Sequence, residues 1–307
     1  MTTDYTKPAL SYTEQLNKLK GCGMTIIDDE MALGYLSSVS YYRLSAYWYF
    51  FRNNSGSGKK SNIFRPDTCF EDVIQLYSFD KRLRYLMMNA LEFIEISLRT
   101  KLTYHFAMRY GPFGHTNASN FHPKFRHQEW LSKLDSEVER SSDEFVNHFK
   151  TKYNGYPRLP IWMLTEVMSF GSLSMFYKGF NNNAQSSIKD KEDIAKNLSI
   201  HYKTLEHWLH VLTYVRNVCA HHSRIWNREL AIRPQQLKDP LWNSPYVPFH
   251  NRVYHVLLII QYLLKQLNHT SEWTQSILEL LSNFDYKPYF QTAMGMPSNW
   301  KEHPLWK

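Results

Sequence analysis

The sequence predicts an all-α protein, and three observations support that prediction. Glycine accounts for only 11 of the 307 residues, and long stretches of the chain contain no turn signal. Several of these stretches repeat apolar residues at the three- and four-residue spacing of a helix. Hydrophobic residues make up 43% of the chain and aromatic residues 16%, which excludes a disordered protein and provides a sizeable core.

The first sixty residues predict a separate helical extension. Residues 10–20 and 29–52 are expected to form short helices, and the second segment is crowded with aromatic side chains around Arg43. Aromatic rings beside arginine can stack on unpaired RNA bases, or can pack the segment onto a helical bundle. Residues 53–60, rich in Asn, Ser and Gly, predict a flexible loop. We therefore expect an extension over residues 1–60 and a larger helical domain over 61–307.

The longest periodic segment runs from Phe70 to Arg109 and predicts one long helix, or two joined by a kink. Its apolar face is formed by Val73, Leu76, Leu83, Met87, Ala90, Ile94, Leu98 and Leu102. Glu95 and Arg99 stand four residues apart and can form an ion pair on this helix.

The remaining chain predicts further helices separated by loops. Turn residues favour a loop over 111–127. We expect a polar, peripheral helix at 128–153, a buried helix at 161–177 in which Gly171 allows a close helix contact, a short helix at 190–199, a helical hairpin at 251–268 and 271–284, and an irregular tail.

A helix that begins near Tyr202 carries the most informative stretch. Its buried stripe is predicted to comprise Leu205, Trp208, Leu209, Leu212, Val215 and Cys219. Continued through the stretch, the same helix places Glu206, His210, Thr213, Asn217, His221 and Arg224 on one polar face. Asn217 and His221 are neighbours at i, i+4, whereas Arg216 lies well round the helix from His221. Either the helix loosens at its end, or Arg216 works with groups from another element.

This combination of side chains suits phosphoryl chemistry on RNA. Nearby guanidinium groups favour the neutral form of a histidine, and a neutral imidazole can take the proton from a ribose 2′-hydroxyl. Arginine can hold the non-bridging phosphate oxygens, and asparagine can position either group. Because no carboxylate pair stands near this stretch, we expect a site without a metal or another cofactor.

Three other interpretations concern the same stretch. A zinc site could draw on Cys219, His221, His222, His207 and His210, but it needs four converging ligands, and no second Cys-x-x-Cys or His cluster completes the set. One of His221 and His222 can instead be packed, or can cap carbonyl groups at the helix end. Arg224 and Arg228 can contact RNA, or can complement the negative end of the helix dipole.

Charge and cysteine content indicate the environment of the protein. The formal net charge of +8 suits a polyanionic partner without requiring one. Three widely separated cysteines form no disulfide framework and predict reduced thiols. The chain starts without a signal peptide, and its most apolar run is too short to span a bilayer, so we expect a cytoplasmic protein that makes no membrane contact.

Together these residues resemble a known family. Arg216-Asn217, three further residues and His221 match the Arg–polar–spaced His signature of the HEPN superfamily of helical ribonucleases. The longer string from Arg216 to Arg228 is similar to the abortive-infection, or Abi-like, branch of that superfamily. The resemblance covers roughly residues 10–235 and includes three more stretches, at 40–45, at 92–99, and at 159–162 together with 169–171.

The resemblance implies an all-α, HEPN-like bundle with metal-independent endoribonuclease activity in phage defence or as a toxin. Arg216, Asn217 and His221 would then be catalytic. The RNA-contacting candidates are Arg224, Arg228, His222, Arg99 and Arg43. In this family the arm that carries Arg99 packs beside the motif helix, which offers an alternative to its pairing with Glu95. RNA is the implied partner, both as substrate and as a possible cognate small noncoding RNA.

Two further expectations follow from the residues. Cleavage is helped by two proton-transfer groups, and the chain supplies one matched motif, which predicts a homodimer with two motifs facing one cleft. The alternative function is a non-catalytic scaffold that holds a structured RNA in a basic groove. A helical module for a small ligand is a third class, which predicts neither cleavage nor retention of RNA.

Overall fold

The structure is a computed structural model that describes residues 4, 6–54, 60–182, 189–235, 237–243, 245–246, 251–269, 271–284 and 288–307. Helices account for 66% of the described residues and strands for 4%, which confirms the predicted all-α class. The chain divides into two compact units, residues 1–83 and 84–307, and the division falls inside the longest helix. Separate folding of residues 1–60 stays a prediction. In the part of the chain that the structure describes, no helix combines the length and the apolar character needed to cross a membrane.

The N-terminal unit contains three short helices, a two-stranded ribbon and the start of a long helix. These elements are α1 (Tyr12–Gly21), α2 (Asp29–Ser38), α3 (Tyr41–Trp48), β1 (Arg52–Asn54), β2 (Lys60–Phe64) and the first part of α4 (Phe70–Tyr110). The antiparallel ribbon was not predicted: it occupies both ends of the expected flexible loop, of which residues 55–59 lie outside the described residues.

The segment predicted as helical over 29–52 is interrupted at Ser40. The backbone of Ser40 has a φ of 76°, in the left-handed region that ends a helix. Its hydroxyl then accepts a hydrogen bond from the backbone N–H of Arg43 at 3.3 Å and so caps α3. Tyr47 and Trp48 of α3 are buried, as expected of residues that pack this segment, whereas Tyr42 is exposed. Stacking on RNA bases stays a prediction.

Helix α4 is one continuous helix of 41 residues, which decides between the one-helix and two-helix predictions. All eight predicted core residues of this helix are buried. The part of α4 from Arg84 onwards belongs to the C-terminal unit and contributes Glu95 and Arg99 to the site described below.

The C-terminal unit continues with nine α-helices among its described residues. They are α5 (His127–Arg140), α6 (Glu144–Lys152), α7 (Ile161–Val167), α8 (Phe170–Gly179), α9 (Asp190–Lys196), α10 (Tyr202–Ala220), α11 (Val253–Gln266), α12 (Ser271–Ser282) and α13 (Pro288–Met294). Short 3₁₀ turns occur at Gly114–Thr116, Ala118–Asn120, Pro240–Trp242, Trp300–Glu302 and Pro304–Trp306.

Two predicted helices are each divided into a pair. The helix expected at 128–153 breaks between α5 and α6, and α5 is not peripheral, because it buries Trp130, Leu131, Leu134 and Val138. The helix expected at 161–177 breaks at Ser169, whose hydroxyl accepts from the N–H of Ser172 at 3.2 Å and caps α8. The apolar residues continue at helical spacing through Ser169, but its capping hydrogen bond starts a new helix there.

The C-terminal hairpin of α11 and α12 occurs as predicted, but the tail after it is ordered against α11. The carbonyl of Leu305 accepts from Nε2 of Gln261 at 2.9 Å. The indole of Trp306 donates to the hydroxyl of Tyr254 at 3.0 Å. The prediction of an irregular tail was therefore wrong, since α13 and two 3₁₀ turns bring Trp300 and Trp306 into the core.

Candidate functional site

Helix α10 begins where the sequence predicts, at Tyr202. His201 is its N-cap, and the imidazole Nδ1 accepts a hydrogen bond from the N–H of Lys203 at 3.3 Å. All six residues of the predicted apolar stripe are buried. The helix packs against α8, where a Cβ added to Gly171 would lie 3.6 Å from Cγ2 of Thr213. The two helices are in contact as expected, but this is an ordinary van der Waals distance that leaves room for a Cβ, so the contact does not require glycine at position 171.

The helix ends in a left-handed residue, His222. The N–H of His222 donates to the carbonyl of Cys219 at 2.9 Å, and the N–H of Ser223 donates to the carbonyl of Val218 at 3.0 Å. This pair of bonds is a Schellman motif, and His222 occupies its left-handed position with a φ of 54°. His222 thus provides the backbone cap that was predicted for one of the two histidines. The polar face ends at His221, so the expectation that Arg224 continues it was wrong.

Beyond the cap, the chain is anchored by two core side chains. Ile225 and Trp226 are fully buried, and the indole of Trp226 stacks on Phe290 with ring centroids 6.2 Å apart. Arg84, itself buried, donates from Nη1 to the carbonyl of Ser223 at 3.5 Å. These contacts hold the segment after His222 in place and so fix the direction in which the helix end is presented.

Arg228 braces the same segment against α10. Its Nε donates to the hydroxyl of Tyr214 at 3.1 Å, and its Nη1 donates to the carbonyl of Arg224 at 3.2 Å. Both bonds use donors that an RNA phosphate would otherwise occupy. The guanidinium of Arg228 therefore has a structural task, whichever further contact it makes.

Asn217 and His221 are two exposed polar residues at the end of α10. They stand one helical turn apart, as the i, i+4 spacing predicts, and the backbone N–H of His221 donates to the carbonyl of Asn217 at 3.0 Å. The imidazole of His221 makes no hydrogen bond or ion pair with any residue that the structure describes. Both of its ring nitrogens are therefore available to a substrate.

Arg216 is connected to this pair through its side chain. Its Nη1 donates to Oδ1 of Asn217 at 3.3 Å, and its Nη2 lies 3.6 Å from Oε2 of Glu95 on α4. Helix α10 stays regular through Ala220, so a loosened helix end does not explain the offset of Arg216 from His221. Arg216 instead works with a group from another element, Glu95 on α4. Since Arg216 is about a third exposed, its ion pair is screened by solvent and contributes about 1 kcal/mol or less.

The other oxygen of Glu95 is held by Arg99. Oε1 of Glu95 accepts from Nη2 of Arg99 at 2.8 Å. Arg99 also donates to the carbonyls of Glu166 and Met168, at 2.9 Å and 3.1 Å, at the end of α7. The predicted Glu95–Arg99 pair is confirmed. The alternative, that Arg99 faces the motif helix α10, holds in part. Arg99 faces the motif helix, but it does so through Glu95.

Glu95 is the residue of the site that the sequence analysis did not assign to it. It was recognised as a partner of Arg99, but its second partner stands 121 positions later in the chain. Tyr214, which holds Arg228 from 14 positions earlier, was also missed, because the helix ends between the two residues and no helical spacing rule relates them. One sequence signal could have identified Glu95. It pairs with Arg99 at the i, i+4 spacing on a helix whose other face is apolar.

The polar face of α10 continues away from the motif through His210. Burial lowers the pKa of His210 below its usual value, and the neighbouring His207 and Lys178 lower it further. His207 itself bonds to the carbonyl of Arg233 through Nε2 at 2.7 Å. Neutral imidazole is therefore the favoured form of His210 at physiological pH.

The other predicted contact residues take different places. Arg224 is half-buried in the segment after the cap, and the side chain of His222 is exposed. Arg43 is exposed on α3 in the N-terminal unit. Among the described residues no group of three or more His, Cys, Asp or Glu side chains is placed to hold a metal ion.

The arrangement can thus bind an anion and transfer a proton at one helix end. Arg216, whose weak ion pair with Glu95 leaves it able to bind an anion, lies beside the exposed amide of Asn217. The exposed imidazole of His221 stands one helical turn further on.

Comparison with known proteins identifies the family of the chain. No curated protein and no solved structure matches it. The family described as Abi-like protein matches residues 34–227, which is more than half of the 307 residues and includes Glu95, Arg99 and the motif from Arg216 to His221. The chain belongs to the Abi-like protein family.

Proposed function

We propose that this protein is a metal-independent endoribonuclease of the HEPN type that acts in phage defence. Family membership supports a role in abortive infection. The observation that carries the finer proposal is the exposed end of α10. There His221 faces solvent, and Arg216 is held beside Asn217 by Glu95. We also propose that the protein is cytoplasmic. The reduced thiols of Cys22, Cys69 and Cys219, all within the described residues, support this location.

In the proposed reaction, the imidazole of His221 takes the proton from a ribose 2′-hydroxyl. The 2′-oxygen then forms a bond to the adjacent phosphorus, and the bond from phosphorus to the 5′-oxygen of the next nucleotide breaks. Arg216 stabilises the negative charge on the non-bridging oxygens, and Asn217 positions the phosphate or the guanidinium. The products carry a 2′,3′-cyclic phosphate and a free 5′-hydroxyl.

The leaving 5′-oxygen needs a proton, and a second copy of His221 is the donor that we propose. An isologous dimer brings the same patch of both subunits together, so two motif helices can face one cleft. This would also double the positive charge available to the RNA backbone.

The proposal assigns supporting roles to several arginines. Arg99 and Arg228 act mainly by positioning Glu95 and the segment after the cap, because both Nη groups of Arg99 and the Nε and Nη1 groups of Arg228 donate within the protein. Arg224, His222 and Arg43 remain candidates for direct contact with RNA.

The test uses purified protein, labelled RNA and a metal chelator. We expect cleavage products that end in a 2′,3′-cyclic phosphate, and no cleavage where the nucleotide at the cut carries 2′-deoxyribose. A strict need for divalent metal, or cleavage of the deoxy substrate, would show that the 2′-hydroxyl mechanism is wrong.

A second candidate function is a non-catalytic scaffold for a structured RNA. The observation that favours it is that Arg216 already has a carboxylate partner, Glu95, as expected of a charge held for stability. An intact RNA that migrates with the protein in the same assay would support this function. Sequencing of RNA that copurifies with the protein would identify a cognate small noncoding RNA.

A further inference from the structure

Two adjoining cavities form one groove on the C-terminal unit, away from the motif. Their volumes are about 690 and 610 Å³. Five residues line both cavities, namely His122, Met175, Lys178, Lys191 and Glu206. Because they share this wall, the two cavities form a continuous groove between α8, the start of α10 and the segment before α5.

The rim of this groove is basic. Six lysine or arginine side chains line it, namely Lys124, Arg126, Lys133, Lys178, Lys191 and Lys203. Its two carboxylates are engaged, Glu206 with Lys191 at 2.7 Å and Glu129 with Arg126 at 3.5 Å. Lys178 has no acidic partner within the described part of the chain, and the same holds for Lys124 and Lys203. The groove therefore presents uncompensated positive charge to a ligand.

The floor of the groove is apolar and partly aromatic. Phe125 lies against the backbone of α8 so closely that a Cβ on Gly179 would come within 2.7 Å of its ring. Met175 is exposed beside it, with 39% of its surface accessible. Trp130 stacks on Phe176 beneath, with the rings nearly parallel and their centroids 5.4 Å apart. A flat apolar floor under a cationic rim suits bases and phosphates of single-stranded nucleic acid.

The groove lies on the same side of α10 as the motif. Glu206 and His210 line it, and they share one helix face with Asn217 and His221. The eleven-residue step from His210 to His221 corresponds to about 16 Å along the helix at 1.5 Å per residue. A strand lying in the groove can therefore follow the helix face to the motif.

We propose that this groove, rimmed by Lys124, Lys178 and Lys203 and floored by Phe125 and Met175, binds a single-stranded segment of the same RNA a few nucleotides away from the scissile one. That the bound strand leads to the motif rests on the proposed function. Binding of RNA in the groove does not itself require cleavage. Lysine rather than a paired arginine at these positions favours backbone contact without base recognition.

The test measures binding separately from cleavage. Fluorescence anisotropy follows a labelled single-stranded RNA on the full chain carrying His221→Ala, so that the probe is not cut. We compare Lys178→Glu/Lys203→Glu with Lys101→Glu/Lys238→Glu, which makes the same charge change at exposed lysines outside the groove. Circular dichroism and thermal melting verify that both variants are folded.

We expect the groove variant to bind RNA at least tenfold more weakly than the control variant. The slope of log affinity against log salt should become shallower by about 1.4, or about 0.7 for each of the two phosphates that a lysine no longer neutralises on a single strand. Equal affinity in the two variants would overturn the groove, as would a polyglutamate peptide that competes as well as RNA does. If the wild-type chain does not cut RNA but the groove variant still loses binding, the groove stands and the nuclease proposal fails.

Discussion

The carboxylate of Glu95 on α4 lies 3.6 Å from the guanidinium of Arg216 on α10, while its other oxygen is held by Arg99 at 2.8 Å. Arg99 is in turn fastened to two carbonyls at the end of α7. One carboxylate thus links three helices at the motif. It holds Arg216 in place, yet only weakly enough for a phosphate to replace it.

The first prediction concerns this carboxylate. Glu95→Gln should lower kcat about tenfold, because Arg216 loses the partner that orients it, a loss of about 1.4 kcal/mol in the transition state. RNA affinity should stay level or rise, since a negative charge beside the phosphate site is removed. Single-turnover cleavage and anisotropy measure the two effects.

Glu92→Gln is the matched control, because Glu92 is exposed on the same helix and the charge change is identical. If the two variants behave alike, Glu95 does not position Arg216 for the reaction.

The second prediction separates the two adjacent histidines. His221→Ala should reduce cleavage by about 10²–10⁴-fold, because it removes the acid–base group, and should leave the helical fold intact. His222→Gly should keep the cleavage step, losing at most the RNA contact proposed for its side chain, and should stabilise the protein by about 1 kcal/mol, since glycine adopts the left-handed conformation without the steric cost that histidine bears.

Cleavage rates and thermal melting measure both effects. An active His221→Ala protein together with an inactive His222→Gly protein would transfer the acid–base role to His222.

The third prediction concerns assembly. Light scattering should report twice the chain mass, and wild-type chains paired with His221→Ala chains should be nearly inactive, because each cleft then lacks one of its two proton-transfer groups. Differently tagged subunits allow the mixed dimer to be purified. A monomer that cleaves RNA at the full rate contradicts the shared cleft.

The fourth prediction is a pH dependence that arises away from the motif. His115 is fully buried, and burial, reinforced by the neighbouring Arg158 and His127, lowers its pKa from 6.5 to about 4. The unfolded chain therefore binds more protons than the folded one between these values. The stability associated with neutral His115 is present above pH 6.5 and is lost as the pH falls toward 4.

The loss between pH 7 and pH 5 should be about 2 kcal/mol. Urea unfolding at both pH values measures it, and His115→Leu should reduce the difference by that amount. His148→Leu is the control, since His148 is exposed. An unchanged pH dependence in His115→Leu would show that another group is responsible.

Several features could be read from the chain because they depend on neighbours in sequence. The apolar residues from Leu205 to Cys219 share one face of any helix they form, wherever that helix packs. Asn217 and His221 are likewise neighbours on a second, polar face because of their i, i+4 spacing. The breaks at Ser40 and Ser169 were equally local, but their capping signals were outweighed by the apolar period in our prediction. The antiparallel ribbon was missed because its strands are short and polar.

The sequence by itself determined the helical class, the family and the helix end that bears Arg216, Asn217 and His221. Only the tertiary structure decided that Arg216 pairs with Glu95, that Arg228 is braced by Tyr214, and that a basic groove joins α8 to α10. Helical periodicity is set by the local backbone, whereas ion pairs between elements depend on how distant helices pack, and residues 95 and 216 share no local spacing rule.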